Sequence, residues 1–299
     1  MHPSPTHLRG LGLGFVGGMM LTFDIPAIRL AGGDVWSLLL VRSFASVGMA
    51  LVIFGIWGLV SRNAPPLLPG RVGLVVAALY GAVGLTFLVS VHTTTTANLV
   101  FILAFNTMFA ALLGWLVLGE RPAVATFLAM AAMIAGVALI VSGSLKSGNW
   151  FGDFMALLTA FLIAAAITIT RKSGKDMGLA PMIGVALPGL LALVMVAGGE
   201  GIRFEQPWWA LIDGAIIMPV SMFCLAVAPR HISGPQVAMF YLLETVLTPV
   251  WVWMIFAERP DDMALAGGAI ILAALAAHIG WQATARRRAM RARVPRRPA

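Results

Sequence analysis

The sequence predicts an all-α integral membrane protein with ten transmembrane helices, arranged as two inverted five-helix repeats. Hydrophobic residues make up 60% of the 299 residues and charged residues only 11%, whereas a soluble domain carries about 25% charged residues. Segments without Asp, Glu, Lys or Arg recur along the chain at about the 20-residue length that crosses the hydrocarbon core of a bilayer. One of these segments also occurs twice, half a chain apart.

The duplicated segment reads NLVFILAFNTMFAALLGWLVLGERP at 98–122 and QVAMFYLLETVLTPVWVWMIFAERP at 236–260. Glu-Arg-Pro closes both copies, 138 positions apart (258 − 120). In this register Asn106 corresponds to Glu244, and each is a polar residue near the middle of an apolar span. A fixed offset of about half the chain indicates a duplicated unit. Two membrane-spanning repeats that meet at a shared centre are typical of transporters.

The two halves of the chain have the same layout. Residues 1–146 form the first five-helix repeat, residues 147–285 form the second, and residues 286–299 form a basic tail. Because each half has an odd number of spans, we expect the halves to insert with opposite orientation. The predicted spans cover about 10–31, 36–60, 72–91, 97–119, 123–142, 151–170, 179–198, 208–228, 234–257 and 263–285.

Two local patterns in the first half predict how its helices begin and pack. The uncharged stretch 72–119 is too long for one helix, and the segment 92–96 (HTTTT) divides it with threonines that can cap the new helix. In the first span Gly10, Gly14 and Gly18 lie four positions apart. This spacing predicts a face of small residues that allows close helix contact.

The distribution of basic residues predicts the orientation of the chain. With the amino terminus in the cytoplasm, fifteen basic residues fall on the inner side and four on the outer side. Cytoplasmic loops carry the excess of Lys and Arg, so we predict that both termini are cytoplasmic. Seven arginines follow Thr284 and contribute to the net charge of +8. Contact with anionic lipid explains this tail better than binding of nucleic acid.

Four segments resemble the drug/metabolite transporter superfamily, in particular its EamA-type ten-helix exporters. They are LLGWLVLGERP at 112–122, LETVLTPVWVWMIFAERP at 243–260, VRSF at 41–44 and GDFMALLTAFLIAA at 152–165. One departure is that Ala111 occupies the place of Pro249 in the first copy. The resemblance implies export of amino acids, including aromatic ones, or of related small metabolites from the bacterial inner membrane. It also implies a central cavity between the halves and alternating access, while other relatives carry nucleotide sugars or sugar phosphates.

Glu244 and Asn106 are candidate substrate-binding residues at the centre of the two copies. Glu244 lies 14 residues from both Arg230 and Glu258, which places it near the bilayer middle at about 1.5 Å per residue. A carboxylate at that depth is costly and is a functional candidate, either for substrate or as a proton acceptor. The alternatives are a structural Glu244 that steadies a bend at Pro249 and an Asn106 that makes an interhelical hydrogen bond.

Asp24 and Arg42 are predicted to form an ion pair on neighbouring antiparallel spans. Asp24 precedes Gly32 by eight residues and Arg42 follows Asp34 by eight, so both lie roughly 12 Å below the outer surface. Each charge would be costly without a partner. The pair either fixes the first span on the second or borders the cavity, where it would engage the ammonium and carboxylate of an amino acid.

Aromatic and apolar side chains could form the wall of the predicted cavity. The candidates are Tyr80, Phe101, Met239, Phe240 and Tyr241. Aromatic residues in a membrane protein also serve as packing or as anchors at the interface. For each of these residues packing is therefore the alternative to substrate contact.

Several function classes lack their sequence signatures. The chain has no G-x-S-x-G, no HExxH, no Cys/His cluster and no Walker-type Gly-rich loop. We therefore predict neither an enzyme nor an ATP-driven pump, and no cofactor or metal. A channel would favour a continuous polar lining, but polar residues within the spans are few and scattered. The predicted partners are a small-molecule substrate and the lipid bilayer, and the internal pseudo-symmetry would let a monomer suffice.

Overall fold

The described residues of the first half form seven helices. The structure, a computed structural model, describes residues 5–60, 67–175, 177, 179–199, 201–228, 231–232 and 234–292. Among these residues there are helices and no strands, as the sequence predicts. The helices of the first half are α1 (Pro5–Leu21), α2 (Asp24–Ala31), α3 (Val35–Val60), α4 (Gly70–Thr93), α5 (Thr96–Leu103), α6 (Asn106–Leu118) and α7 (Val124–Ser147).

The described residues of the second half are also helical, and two of their spans are irregular, one broken at Val185 and one with a π-helical segment. Its helices are α8 (Trp150–Ser173), α9 (Ala180–Gly184), α10 (Ala186–Ala197), α11 (Pro207–Ile212), α12 (Met218–Val227), α13 (Gly234–Phe256) and α14 (Asp262–Ala292). A π-helical segment, Asp213–Ile217, joins α11 to α12. Between the halves α7 ends at Gly148, whose left-handed backbone (φ 84°) turns the chain into α8.

Nine segments of the described residues are helical, long and apolar enough to cross a membrane. They correspond to every predicted span except the ninth. That span is α13, whose apolar part among the residues described with side chains, Phe240–Phe256, is shorter. The structure therefore agrees with a protein that crosses the membrane many times, and a total of ten spans stays a prediction.

The threonine run after α4 divides the long uncharged stretch as predicted. Helix α4 ends at Thr93, and α5 begins at Thr96 after an extended Thr95. The side chain of Thr95 accepts a hydrogen bond from the backbone N–H of Asn98. This is an N-cap, in which a hydroxyl satisfies a backbone donor that the first helical turn leaves free.

The first span breaks at Thr22 and Phe23, and α13 covers the break. Pro26 follows Thr22 by four residues and cannot donate to its carbonyl oxygen, so a continuous helix is disfavoured here. Thr248 donates a hydrogen bond to the carbonyl oxygen of Thr22 at 3.2 Å, and the ring of Trp251 stacks on Phe23 with centroids 5.5 Å apart. Contacts between spans thus satisfy and cover the backbone at the break. By contrast, Pro249 lies inside an uninterrupted α13.

The glycine face of the first span packs closely, as its spacing predicts. A Cβ atom at Gly18 would lie 2.6 Å from the carbonyl oxygen of Phe240 in α13. At Gly17 it would lie 2.9 Å from Cβ of Cys224 in α12, and at Gly10 it would lie 2.7 Å from a methyl carbon of Ile232. The absence of side chains on α1 therefore lets α12 and α13 approach its backbone.

Substitution Gly18→Ala is expected to lower the thermal stability of the purified protein. The added methyl would meet backbone, which cannot rotate away, and overpacking of this kind costs about 1–3 kcal/mol. Gly12→Ala is the matched control, because nothing lies within 4 Å of a Cβ atom there. Thermal unfolding in detergent should show a lower midpoint for Gly18→Ala only. Equal midpoints for the two variants would contradict the close packing of α1 on α13.

Asp34 caps the start of α3 and connects it to the chain before α11. Its carboxylate accepts hydrogen bonds from the backbone N–H groups of Trp36 and Ser37, and from the Ser37 hydroxyl. That hydroxyl in turn accepts from the backbone N–H of Arg203 at 2.9 Å. Burial alone would raise the pKa of Asp34, but the hydrogen bonds outweigh it and hold the pKa below its ordinary value.

The lowered pKa predicts an acid-sensitive contribution of Asp34 to stability. The carboxylate form is favoured in the folded protein, so its contribution is present above the unfolded pKa of about 3.9. It is lost as the pH falls through the lower folded pKa. Asp34→Asn keeps a capping oxygen but does not titrate. The midpoint of thermal unfolding should therefore fall less steeply with acid in Asp34→Asn than in the unmodified protein; identical profiles would contradict this role.

Candidate functional site

A buried group of three charged side chains lies where α2, α3 and the π-helical segment meet. Arg42 of α3 donates through Nη2 to Asp24 of α2 at 2.6 Å. Its Nε lies 2.5 Å from Oδ2 of Asp213. The side chains of Asp24 and Asp213 expose 3% and 0% of their surface, and that of Arg42 exposes 10%. We call these residues the Arg42 triad.

The pairing of Asp24 with Arg42 is confirmed by the contact, whereas Asp213 was not predicted. A signal for it is present in the sequence, because Asp213 is the one acidic residue within the predicted span 208–228. A charged residue inside a span is costly unless it has a partner. Arg42 is likewise the one charged residue of α3, so counting the charges within spans would have brought the two together.

The π-helical segment places Asp213 against α3. A Cβ atom on Gly214 would come within 2.6 Å of the carbonyl oxygen of Arg42, so the missing side chain allows a close approach. The hydroxyl of Ser46 donates to the carbonyl oxygen of Gly214 at 2.9 Å. A π-turn inside an α-helix is rare and is frequently found at functional sites. Here it coincides with the acidic residue of the span.

The triad is not balanced in charge or in hydrogen bonds. Two carboxylates face one guanidinium, and the guanidinium also stacks 5.4 Å from the ring centre of Phe87. Neither carboxylate oxygen of Asp213 has a hydrogen-bond donor among the described residues. Its Oδ2 is close to Arg42 Nε but is not aligned with the N–H direction. Arg42 and Asp213 are therefore close enough for an ion pair, but no aligned hydrogen bond accompanies it.

Glu244, Tyr241 and Tyr80 lie beside the triad. Tyr80 of α4 and Glu244 are neighbours of Tyr241, and Asp24 of the triad is a neighbour of Glu244. The side chain of Tyr241 exposes 44% of its surface. We call Tyr80, Tyr241 and Glu244 the central cluster.

The remaining predicted residues are not brought into this cluster. Phe101 is 6% exposed, and its ring packs where a side chain on Gly268 of α14 would otherwise lie. It therefore packs α5 against α14, which is the alternative that the sequence left open. Asn106 begins α6 at the break in the fourth span and is partly exposed. The side chain of Met239 lies outside the described residues.

Each Glu-Arg-Pro motif pairs with an arginine of the other half. Glu258 forms an ion pair with Arg29, near the end of α2, and accepts a hydrogen bond from the backbone N–H of Thr96. Glu120 accepts two hydrogen bonds from Arg171, near the end of α8, at 2.7 and 2.9 Å. The structure thus gives each of these glutamates a partner in the opposite half.

The two pairs lie at opposite ends of the fourth span. Thr96, which contacts Glu258, opens α5, and Glu120 follows the end of α6. The intervening span has 23 residues. At about 1.5 Å of rise per residue it is long enough to cross the hydrocarbon core. The Arg29–Glu258 side chains are 21% and 28% exposed, whereas those of Arg171–Glu120 are 50% and 54% exposed. The Glu258 end is thus the more tightly closed of the two.

A second buried polar group joins α4 and α5 to α7 and α8. Asn98 donates to Ser144 at 2.7 Å, and Thr94 donates to Asp153 at 2.5 Å. Asp153 is 1% exposed and also lies 3.3 Å from the Asn98 amide nitrogen. These donors stabilise a buried carboxylate without an arginine, so this group serves as a structural reference for the triad.

A pocket of about 350 Å³ lies at the Glu258 end, away from the central cluster. Its lining includes Arg29, Gly33, His92 and Phe256. Across the described ranges no group of three or more His, Cys, Asp or Glu could hold a metal ion. The candidate site is therefore the triad with the central cluster.

Comparisons with known proteins agree with the fold. Residues 8–142 match the model of the EamA-like transporter family, which belongs to the drug/metabolite transporter superfamily. One solved structure, described as "Crystal structure of protein", aligns with a TM-score of 0.60 at 15% identity, covering 90% of this chain and 95% of its own. At that identity the likeness shows the fold alone. The first half is thus similar to the EamA-like family, and the nine apolar helices among the described residues indicate a multi-pass membrane protein.

Proposed function

We propose that this protein, whose first half is an EamA-like transporter domain, is a secondary transporter that exports amino acids, including aromatic ones, or related small metabolites. The observation that carries the proposal is the central cluster. It gathers a carboxylate and two tyrosines from α4 and α13 beside the charged triad, at a depth where polar side chains are costly unless they serve a function. The alternative is a carrier of nucleotide sugars or other metabolites with the same fold.

The chemistry of the central cluster suits an amino acid. The carboxylate of Glu244 is a counter-charge for an ammonium group, and the rings of Tyr80 and Tyr241 offer apolar faces for a side chain. Asp24 and Arg42 border the same space. Because Arg42 is bound by two aspartates in this conformation, it would reach a substrate carboxylate only after the triad rearranges.

The two Glu–Arg pairs support alternating access between inverted repeats. Each pair connects a Glu-Arg-Pro motif of one half to the first span of the other half, and the pairs lie at opposite ends of the molecule. Opening one end while the other stays paired would expose the centre to one side at a time. We extend the proposal to ten spans, five per half, with both termini in the cytoplasm and the protein in a bacterial inner membrane.

The direct test is transport by the purified protein in proteoliposomes. Uptake of labelled tryptophan, phenylalanine, threonine and a nucleotide sugar would be measured with and without a pH gradient, beside Glu244→Gln. We expect saturable flux of an amino acid. Glu244→Gln removes the counter-charge for the ammonium group, so the KM should rise at least tenfold, because a charged hydrogen bond contributes about 1.5–3 kcal/mol.

Asp153→Asn is the matched control for the loss of a buried carboxylate outside the cluster. It should leave the KM unchanged in the protein that folds. Flux of the nucleotide sugar alone would replace the amino-acid assignment with the alternative. Flux of none of the four compounds would remove the amino-acid assignment and leave the fold intact.

A further inference from the structure

We propose that the carboxyl groups of Asp24 and Asp213, which both contact Arg42, share one exchangeable proton. We propose further that this proton, rather than one on Glu244, couples transport to the pH gradient. The coupling half of this proposal rests on the proposed function. The binding of the proton does not, and it can be tested without any substrate.

The charge count of the triad requires a further positive charge. Two ionised carboxylates and one guanidinium leave one net negative charge, in a place where the side chains expose no more than 10% of their surface. An uncompensated charge in such surroundings is strongly disfavoured, and two carboxylates that share a site do not both ionise readily. One proton makes the group neutral.

The hydrogen bonds of Asp213 point to the same site. Its two carboxylate oxygens lack a hydrogen-bond partner among the described residues, while its carboxyl group and that of Asp24 both contact the same guanidinium, at 2.5 and 2.6 Å. Two ionised carboxylates cannot hydrogen-bond to each other, since neither has a hydrogen to donate. A proton on one carboxyl supplies the missing donor. The same proton therefore satisfies both the charge count and the hydrogen bonding.

Titratable groups facing Asp213 offer no other source of compensation. Of the elements packed against the π-helical segment, α3 contributes Arg42 alone, α11 contributes none and α12 contributes only Cys224. Helix α2 contributes Asp24 and also Arg29, which is engaged by Glu258 at the end of the molecule. The neighbouring Glu244 on α13 adds a further acidic group near Asp24. The local balance therefore remains acidic.

A proton fits this site better than a divalent metal ion. Ca²⁺ and Mg²⁺ take six or more oxygen ligands, and the triad offers the carboxylates of two residues. No group of three or more metal-ligating residues of the His, Cys, Asp or Glu type occurs in the described part of the chain. A shared proton needs only the two oxygens that approach each other. The step is a simple exchange: a carboxylate takes up a proton from one side, and the carboxyl group releases it to the other.

Access to the proton requires movement of the first span. The triad is sealed here, and Asp24 begins α2 directly after the break at Thr22 and Phe23. Arg29, at the other end of the same short helix, is paired with Glu258. Release of that pair would free α2 to move Asp24 relative to Arg42. The short helix α2 therefore connects the Arg29–Glu258 pair at one end to the proton site of the triad at the other.

The proton can be detected by infrared difference spectroscopy of the full chain in lipid. A protonated carboxyl group has a carbonyl stretch that a carboxylate lacks, and the band shifts in heavy water. We expect the triad to contribute to this band at neutral pH in the unmodified protein, and we expect that contribution to be lost in both Asp24→Asn and Asp213→Asn. Either substitution leaves one carboxylate with Arg42, which is a neutral pair that needs no proton.

Glu244→Gln and Asp153→Asn are the controls, and both should keep the band. A band that survives in both triad variants and disappears in Glu244→Gln would assign the proton to Glu244 and overturn the proposal. Absence of a band in the unmodified protein would overturn it as well. If Asp213→Asn does not fold, the comparison of Asp24→Asn with Glu244→Gln still decides whether the proton lies in the triad or on Glu244.

Coupling is tested by flux in proteoliposomes with an imposed pH gradient. Labelled tryptophan would be the probe, since it belongs to the proposed substrate class. The unmodified protein should transport faster with the gradient, and Asp213→Asn should transport at the same rate with and without it. Gradient-driven flux that persists in Asp213→Asn would overturn the coupling. An infrared band without any tryptophan flux would instead refute the proposed substrate, and the proton site would stand.

Discussion

Replacement of Arg42 by methionine is expected to destabilise the folded protein by about 3–5 kcal/mol, because removing one partner of a buried ion pair leaves uncompensated charge. Both Asp24 and Asp213 lose their only cation in this variant, and both are at most 3% exposed. The loss would be measured from unfolding in detergent, with intrinsic tryptophan fluorescence as the signal.

The exposed pair at the other end supplies the control for that prediction. Arg171→Met removes the cation from Glu120, but the side chains of this pair are about half exposed, so the loss should be under about 1 kcal/mol. The triple variant Asp24→Asn/Arg42→Met/Asp213→Asn removes all three charges and should recover part of the stability lost in Arg42→Met. Equal losses for Arg42→Met and Arg171→Met would contradict the description of the triad as a buried charged group.

Linking the Glu258 end covalently is expected to reduce transport to the background of empty liposomes. The Arg29→Cys/Glu258→Cys variant would be made in a Cys224→Ala background, because Cys224 is the one native cysteine. A short bifunctional methanethiosulfonate reagent should join the two introduced thiols, since the native side chains are in contact. Flux should return when the link is reduced, because the protein would again be able to open at this end.

The same experiment at the Glu120 end completes the argument. Glu120→Cys/Arg171→Cys, linked by the same reagent, should also stop flux and also recover on reduction. Each single cysteine treated with the reagent is the control for modification alone. Undiminished flux through a fully linked Glu258 end would contradict alternating access and would favour a path that does not pass that end.

Most of the fold is predictable from the sequence, because membrane insertion leaves a strong signal. The scarcity of charge across the spans, the threonine run before Thr96 and the glycine spacing from Gly10 to Gly18 each have one physical meaning, and each is found in the structure. The helix breaks are not predictable in this way. Ala104 and Phe105 interrupt the fourth span, whereas Pro249 does not interrupt the ninth, so a proline is neither required nor sufficient for a break, and contacts with neighbouring helices contribute to it.

The candidate site was predictable only in part. The pairing of Asp24 with Arg42 followed from their equal depth on adjacent spans, and this depth can be estimated from the helical rise per residue. Predicting Asp213 requires the extra step of counting charges within spans. Its position against Arg42 depends on a π-turn, which the pattern of apolar residues in the sequence does not reveal. The partners of Glu120 and Glu258 lie in the opposite half, and contacts of that kind depend on the packing of the complete fold.

The distances across the two ends of one molecule test the central claim most directly. Spin labels at Arg259 and Gln206 would report on the Glu258 end, where Gln206 is held to Ala31 by a backbone hydrogen bond. Labels at Arg121 and Lys172 would report on the Glu120 end. Distance distributions would be recorded in lipid nanodiscs over a range of pH and with tryptophan. The distance between the labels at one end should increase when the distance between the labels at the other end decreases. Two distances that stay fixed, or that lengthen together as in a channel, would contradict alternating access.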